Sequence, residues 1–202
     1  MVAAASDVTI IDSGGANLAS LRFALERLGA SSVVSSDPDV IAAARKVLLP
    51  GVGAAGDAMA RLRASGLDAA IPRLTQPLLG ICLGMQLLYE RSEEGDARCL
   101  GILPGTARRF ADHPDRPVPH MGWNQLRARR GSPLLAGIDD GEHAYFVHSY
   151  ALPAGPETVA TADYGGEFSA VVSHRNFHGA QFHPERSART GARLLANFLD
   201  MT

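Results

Sequence analysis

Leu78-Leu79-Gly80-Ile81-Cys82-Leu83-Gly84-Met85-Gln86-Leu87-Leu88-Tyr89-Glu90 is the stretch on which the architecture turns. Its first residues form a short apolar run of the kind that buried strands show, and Leu83, Leu87 and Leu88 then recur at helical spacing. Cys82 stands at the junction, flanked by Gly80 and Gly84. A strand that turns sharply into a helix crowds backbone against backbone, and residues without a Cβ relieve the crowding. Such a turn lifts one side chain out of the sheet and aims the helix N-terminus at it, with unpaired N–H groups and partial positive charge. Both favour a thiolate. Gly-x-Cys-x-Gly is thus the pattern of a nucleophile elbow, with Cys where many hydrolases carry Ser. A free thiol packed as a small hydrophobe fits the same residues.

Upstream, Val8-Thr9-Ile10-Ile11 reads as a buried strand followed by a tight loop over 12–17. Leu18, Leu21, Leu25 and Leu28 mark one face of a helix that ends at Gly29. Val33-Val34 is a second strand, Asp37-Pro38 an N-cap and first helical residue, Val47-Leu48-Leu49 a third strand, and 57–64 a helix. Strands alternating with helices predict a parallel sheet covered on both faces, with its site at the C-terminal ends of the strands, where Cys82 lies. Downstream, Leu103-Pro104-Gly105 and residues 113–119 read as loops. Runs at 124–129, 144–150, 157–162, 169–173 and 179–182 read as strands that extend the same sheet in antiparallel fashion. Leu194, Leu195, Phe198 and Leu199 form the stripe of a C-terminal helix. No repeat or linker divides the chain, so one α/β domain over residues 1–202 is expected.

The 202 residues are 46% hydrophobic and carry a formal net charge of −2, without the basic surplus of a nucleic-acid binder. All but Lys46 of the 19 basic residues are arginine. No apolar run is long enough to span a membrane, and residues 1–6 lack the features of a signal peptide. Cys82 and Cys99 are the two cysteines, with no metal-type spacing, so reduced thiols and a cytoplasmic location are expected.

Gly51-Val52-Gly53-Ala54-Ala55-Gly56 matches G-x-G-x-x-G, but after the third strand rather than the first and behind Pro50, which holds the entry extended. Exposed glycine N–H groups there serve either a nucleotide or a developing oxyanion. His183-Pro184-Glu185 follows the last strand-like run, and its proline keeps imidazole and carboxylate close along one edge. A carboxylate on one ring nitrogen leaves the other to take a thiol proton. His174 and His178 are four apart in strand-like sequence, which does not read as a metal site.

Gly80-Ile81-Cys82-Leu83-Gly84-Met85-Gln86, taken with Phe182-His183-Pro184-Glu185, resembles the class I glutamine amidotransferases. The resemblance runs from about Ile10 to Phe198. It implies a flavodoxin-like, three-layer α/β sandwich with a mostly parallel central sheet and an antiparallel extension. It implies a catalytic triad of Cys82, His183 and Glu185, with no cofactor and no metal. Pro50-Gly51-Val52-Gly53 is similar to the family's oxyanion strand, so N–H groups of Leu83 and of Val52-Gly53 would hold the oxyanion. By the same match Gly51, Gln86, Glu94, Ser149 and Tyr150 would bind glutamine. Pro119-His120-Met121-Gly122-Trp123-Asn124 and Tyr145-Phe146-Val147-His148-Ser149-Tyr150 are similar to segments of one branch, the glutaminase subunits of imidazole glycerol phosphate synthase in histidine biosynthesis. That branch implies a heterodimer with a separate (β/α)₈-barrel cyclase subunit. Its interface or gate would include Asn17, His120, Met121, Trp123, Asn124, Tyr145 and Arg186. The loop 12–17 departs from the family, which has an aromatic after the Asp and a Gly before the Asn. Glutaminases that feed anthranilate, aminodeoxychorismate or a guanine nucleotide share the Cys and His-Pro-Glu motifs. A non-catalytic interaction protein on this fold would not need all three triad residues.

Overall fold

The apolar runs of the first half become parallel strands of one sheet. The computed structural model describes residues 6–13 and 18–202, so the interface assignment at Asn17 lies outside the described residues. The strands are β1 (Val8–Ile11), β2 (Ser32–Ser35), β3 (Val47–Gly51), β4 (Leu78–Cys82), β5 (Tyr89–Ser92), β6 (Ala97–Arg98) and β7 (Leu103–Arg109). They continue with β8 (His120–Gln125), β9 (Arg127–Ala128), β10 (His143–His148), β11 (Tyr150–Ala151), β12 (Thr158–Asp163), β13 (Glu167–His174) and β14 (Phe177–Ala180). The α-helices are α1 (Leu18–Arg27), α2 (Pro38–Ala42), α3 (Ala55–Ala64), α4 (Leu67–Ala70), α5 (Leu83–Leu87) and α6 (Ala188–Leu199).

The main sheet runs β2-β1-β3-β4-β14-β13-β12-β9. From β2 to β14 the pairings are parallel, and from β14 to β9 antiparallel. Every residue of β1, β3, β4 and β14 is buried, as a sheet covered on both faces requires. On one face Leu21, Leu25, Leu194, Leu195 and Phe198 of α1 and α6 pack on Ile10, Leu48 and Leu79. On the other, Ile41, Met59, Leu62, Leu67 and Leu87 of α2 to α5 pack on Ile11, Val47, Leu49 and Leu78. Three layers result. The Asp37 carboxylate accepts from the Asp39 N–H with Pro38 at the first position of α2, the expected cap.

Three expectations need correction. The 179–182 run is a strand two residues earlier, at β14, and it lies parallel to β4. The runs 124–129 and 144–150 do not simply extend the sheet: each changes partner midway. β8 and β10 pair in a separate two-stranded ribbon, while β9 joins β12 and β11 joins β7. The breaks fall at Leu126 and Ser149, where the chain leaves one ladder for another. Finally, residues 103–105 belong to β7, inside a small sheet ordered β11-β7-β5-β6. Tyr89 opposes Leu103 and Arg91 opposes Thr106, so Pro104 and Gly105 sit in a bulge, where a missing N–H and a φ of +126° are tolerated.

Candidate active site

The elbow is built as its glycines require. Cys82 ends β4 and caps α5 with φ 54° and ψ −115°, a left-handed conformation that L residues adopt only under constraint. A Cβ on Gly84 would lie 1.8 Å from the Leu49 carbonyl oxygen, and one on Gly80 would lie 2.6 Å from the Gly84 oxygen. A Cβ on Gly51 would lie 2.7 Å from the Gly84 nitrogen. Gly51, the first glycine of the G-x-G-x-x-G run, thus lets β3 lie against the elbow, whereas Cβ atoms at Gly53 and Gly56 would meet nothing within 4 Å. The Ser13 hydroxyl donates to the Pro50 carbonyl (2.6 Å), tying the end of β1 to the same turn.

His183 meets this elbow from the far end of the chain. Its N–H donates to the Tyr145 carbonyl of β10 (3.0 Å), and its Nδ1 pairs with Glu185 Oε1 at 2.9 Å. The Ser187 hydroxyl donates to the His183 carbonyl (2.7 Å) and accepts the Tyr145 N–H (2.9 Å), closing the turn against β10. Helix α6 approaches this turn so closely that a Cβ on Gly191 would lie 1.9 Å from the Pro184 oxygen. Burial works against charge on the His183 ring, but the hydrogen bonds and charges of Cys82 and Glu185 prevail and raise its pKa to about 10. A charged imidazole ring beside the Cys82 sulfur, backed by a carboxylate, is the consequence. At the other cysteine, burial pushes the Cys99 thiol up to about 11, against a smaller opposing effect of Arg63.

A cavity of about 300 Å³ opens over Cys82 and His183 and is also lined by Val52, Gly53, Leu83, Gln86, Glu94, Ser149 and Tyr150. Gly51 lines an adjoining cavity of about 220 Å³ beside Pro50, Glu185 and Arg186. The residues expected to bind glutamine or its oxyanion therefore converge on one site. Two of them have structural duties as well. The Gln86 amide donates to the Tyr150 carbonyl (2.8 Å) and to Gln181 Oε1 (3.0 Å), deep in the protein. Glu94 accepts the Ala55 N–H at the start of α3 (2.9 Å), a cap that Ala54 cannot supply.

The residues matched to an interface divide. Met121 and Trp123 are exposed on β8 at 62% and 53%, so neither is core. Trp123 meets Tyr145 edge-on, and the Arg186 guanidinium lies 4.6 Å from the Tyr145 ring centroid. Asn124 is half-buried, its amide donating to the Asp163 carbonyl. His120 points the other way: it is buried, stacked between Phe146 and Tyr164, because β8 alternates its faces. His120 therefore presents no side-chain surface to a partner. Sequence reasoning missed Gln181, whose amide points at Cys82 Sγ (3.9 Å), and the Val147 carbonyl, 3.7 Å from the same sulfur. A glutamine inside the apolar run before His183 was the available signal.

Residues 9–201 match the family model for class-I glutamine amidotransferases. The chain is 57% identical over 197 residues to the imidazole glycerol phosphate synthase subunit HisH of Xanthomonas campestris pv. campestris (strain 8004), covering 98% of both chains. It is 56% identical over 196 residues to that of Xylella fastidiosa (strain Temecula1 / ATCC 700964), covering 97% of this chain and 98% of the other. Among solved structures, a glutamine amidotransferase superposes with a TM-score of 0.74 at 19% identity, covering 96% of this chain and 97% of that one. A glutamine amidotransferase from Thermotoga maritima gives 0.66 at 18% identity, covering 96% and 82%. The last two speak for the fold alone; the family match and the close relatives establish that this chain belongs to the class I glutamine amidotransferases.

Proposed function

We propose that the chain is the glutaminase subunit of imidazole glycerol phosphate synthase, working in the cytoplasm as a single domain in a heterodimer with the cyclase subunit. The convergence of Cys82, His183 and Glu185 on one cavity with Gln86, Glu94, Ser149 and Tyr150 is the observation that supports the chemistry. The Cys82 thiolate attacks the side-chain amide carbon of glutamine, and the C=O electron pair moves onto oxygen. N–H groups of Leu83 and of the Val52-Gly53 strand hold that oxyanion. The His183 imidazolium, charged by the thiol's proton and steadied by Glu185, protonates the departing nitrogen, and the C–N bond breaks to release ammonia. Water, deprotonated by His183, attacks the thioester and frees glutamate and the thiolate.

Ammonia in bulk water is mostly protonated, so it is passed directly to the cyclase, which makes imidazole glycerol phosphate and an aminoimidazole carboxamide ribonucleotide. The exposed Met121 and Trp123, with Tyr145 and Arg186 beside them, form the docking face next to the triad. The test is glutamate release from glutamine by the chain alone and then with the cyclase subunit and its nucleotide ligand. A large rise in the complete mixture, abolished by Cys82→Ala, is expected. An unchanged rate in Cys82→Ala sinks the nucleophile assignment. A good rate indifferent to the cyclase points to a different acceptor enzyme.

A further inference from the structure

Two buried histidines outside the triad form a hydrogen-bonded chain whose direction is fixed. His120 and His148 face each other across the β8–β10 ladder and are 4% and 6% exposed. His148 Nδ1 lies 2.9 Å from the Tyr150 carbonyl oxygen, which can only accept, so that nitrogen carries the proton. In a neutral ring Nε2 is then an acceptor, and the nitrogen facing it, His120 Nδ1 at 3.1 Å, must donate. His120 Nε2 is left as an acceptor for the Asn124 amide at 3.3 Å, whose second hydrogen goes to the Asp163 carbonyl at 2.8 Å. Every group from the exposed ribbon to Tyr150 has one consistent role. The Tyr150 carbonyl also accepts from Gln86, whose other hydrogen goes to Gln181, and Gln181 points at Cys82 Sγ.

Burial holds both rings neutral, with pKa values lowered to about 4 for His120 and about 3 for His148. Packing keeps them in place: His120 is stacked 4.1 Å from the Tyr164 centroid, and His148 lies 5.1 Å from both Phe110 and Phe168. A core needing only ring-shaped filler has no use for a polar pair that must be fully satisfied.

We propose that His120 and His148 are positioning residues for glutamine binding. As a neutral pair of fixed tautomers they hold the Tyr150 carbonyl, and with it the Ser149-Tyr150 edge of the pocket, in place relative to the β8–β10 ribbon. The role rests on the glutaminase reading. Neither ring touches the reacting atoms; both act through the main chain at 149–150, so their loss falls on substrate binding more than on turnover.

The test combines spectroscopy with kinetics in the complex with the cyclase subunit. Imidazole nitrogen chemical shifts in the wild type are expected to show both rings as Nδ1–H tautomers; an Nε2–H form of His148 overturns the proposal. His120→Phe keeps a stacked ring but leaves His148 Nε2 without a donor, and should raise the KM for glutamine about tenfold with kcat changed less than about twofold. His120→Asn places an amide N–H near the position of the lost Nδ1–H and should restore most of the affinity. Wild-type KM in a folded His120→Phe variant, or a loss confined to kcat, overturns the positioning role. If His120→Phe does not fold, the wild-type tautomers and the His120→Asn kinetics still decide it. A wild-type complex that releases no glutamate overturns the glutaminase reading itself, and the positioning role falls with it.

Discussion

At His183 three influences compete, and their balance sets the protonation state of the site. Burial alone would strip the proton, as it does at His120, His148 and His178. Hydrogen bonds and electrostatic effects of Cys82 and Glu185 reverse the sign and lift the ring from 6.5 to about 10. Cys82→Ala removes the contribution of Cys82 and leaves Glu185 alone against burial. The His183 pKa should then fall, which a proton NMR titration of its ring C–H would read. An unchanged value would show that Glu185 suffices and that Cys82 contributes nothing to the charged ring. Of this site, the strand-to-helix elbow at Cys82 and the contact of His183 with Glu185 were legible because a sharp elbow demands glycines at particular neighbours and His-x-Glu keeps its two groups close. The Val147 carbonyl was not legible, since a main-chain oxygen leaves no mark on sequence.

Among the elements, the β8–β10 ribbon organises the site more than the sequence suggested. Its strand β10 supplies the Tyr145 carbonyl that anchors His183, the Val147 carbonyl beside Cys82, and the exit through Ser149 into β11. The parallel strands β1, β3 and β4 could be read from their apolar runs, because burial on both faces erases the alternation that would otherwise blur into helix or loop. Strand β7 could not, since Pro104 and Gly105 are loop residues everywhere except in a bulge. The partner switches at Leu126 and Ser149 were equally hidden: each run has strand-like sequence throughout, and only tertiary pairing divides it. On the outer face of the ribbon, Trp123 is half-exposed and is the only tryptophan. Adding the cyclase subunit should change its fluorescence, and Trp123→Ala should weaken the complex by about tenfold or more. An unaltered emission spectrum on complex formation would move the interface elsewhere.

The whole molecule carries its buried neutral histidines as a liability in acid. His120, His148 and His178 have folded-state pKa values of about 4, 3 and 4 against an ordinary 6.5. Between those limits the unfolded chain binds protons that the folded chain refuses, so stability falls as pH drops from 6.5 toward 4. The expected slope is roughly 1–3 kcal/mol per pH unit, readable from urea midpoints at pH 7, 6 and 5. A flat profile would mean that the rings are protonated within the fold.

The backbone at Cys82 has a consequence for the stability of the whole chain. At most positions alanine is the better residue and glycine the worse, because glycine leaves the unfolded chain more freedom. At φ 54° and ψ −115° the order should invert: Cys82→Gly ought to be more stable than Cys82→Ala by about 1 kcal/mol, since alanine keeps the steric conflict and glycine does not. Comparing the thermal midpoints of these two variants measures the tension held at that one residue. Selection for durability alone would have put glycine at 82. On the proposed chemistry, the thiol that stands there instead makes the fold tolerate a spring it could release, with reactivity keeping it wound.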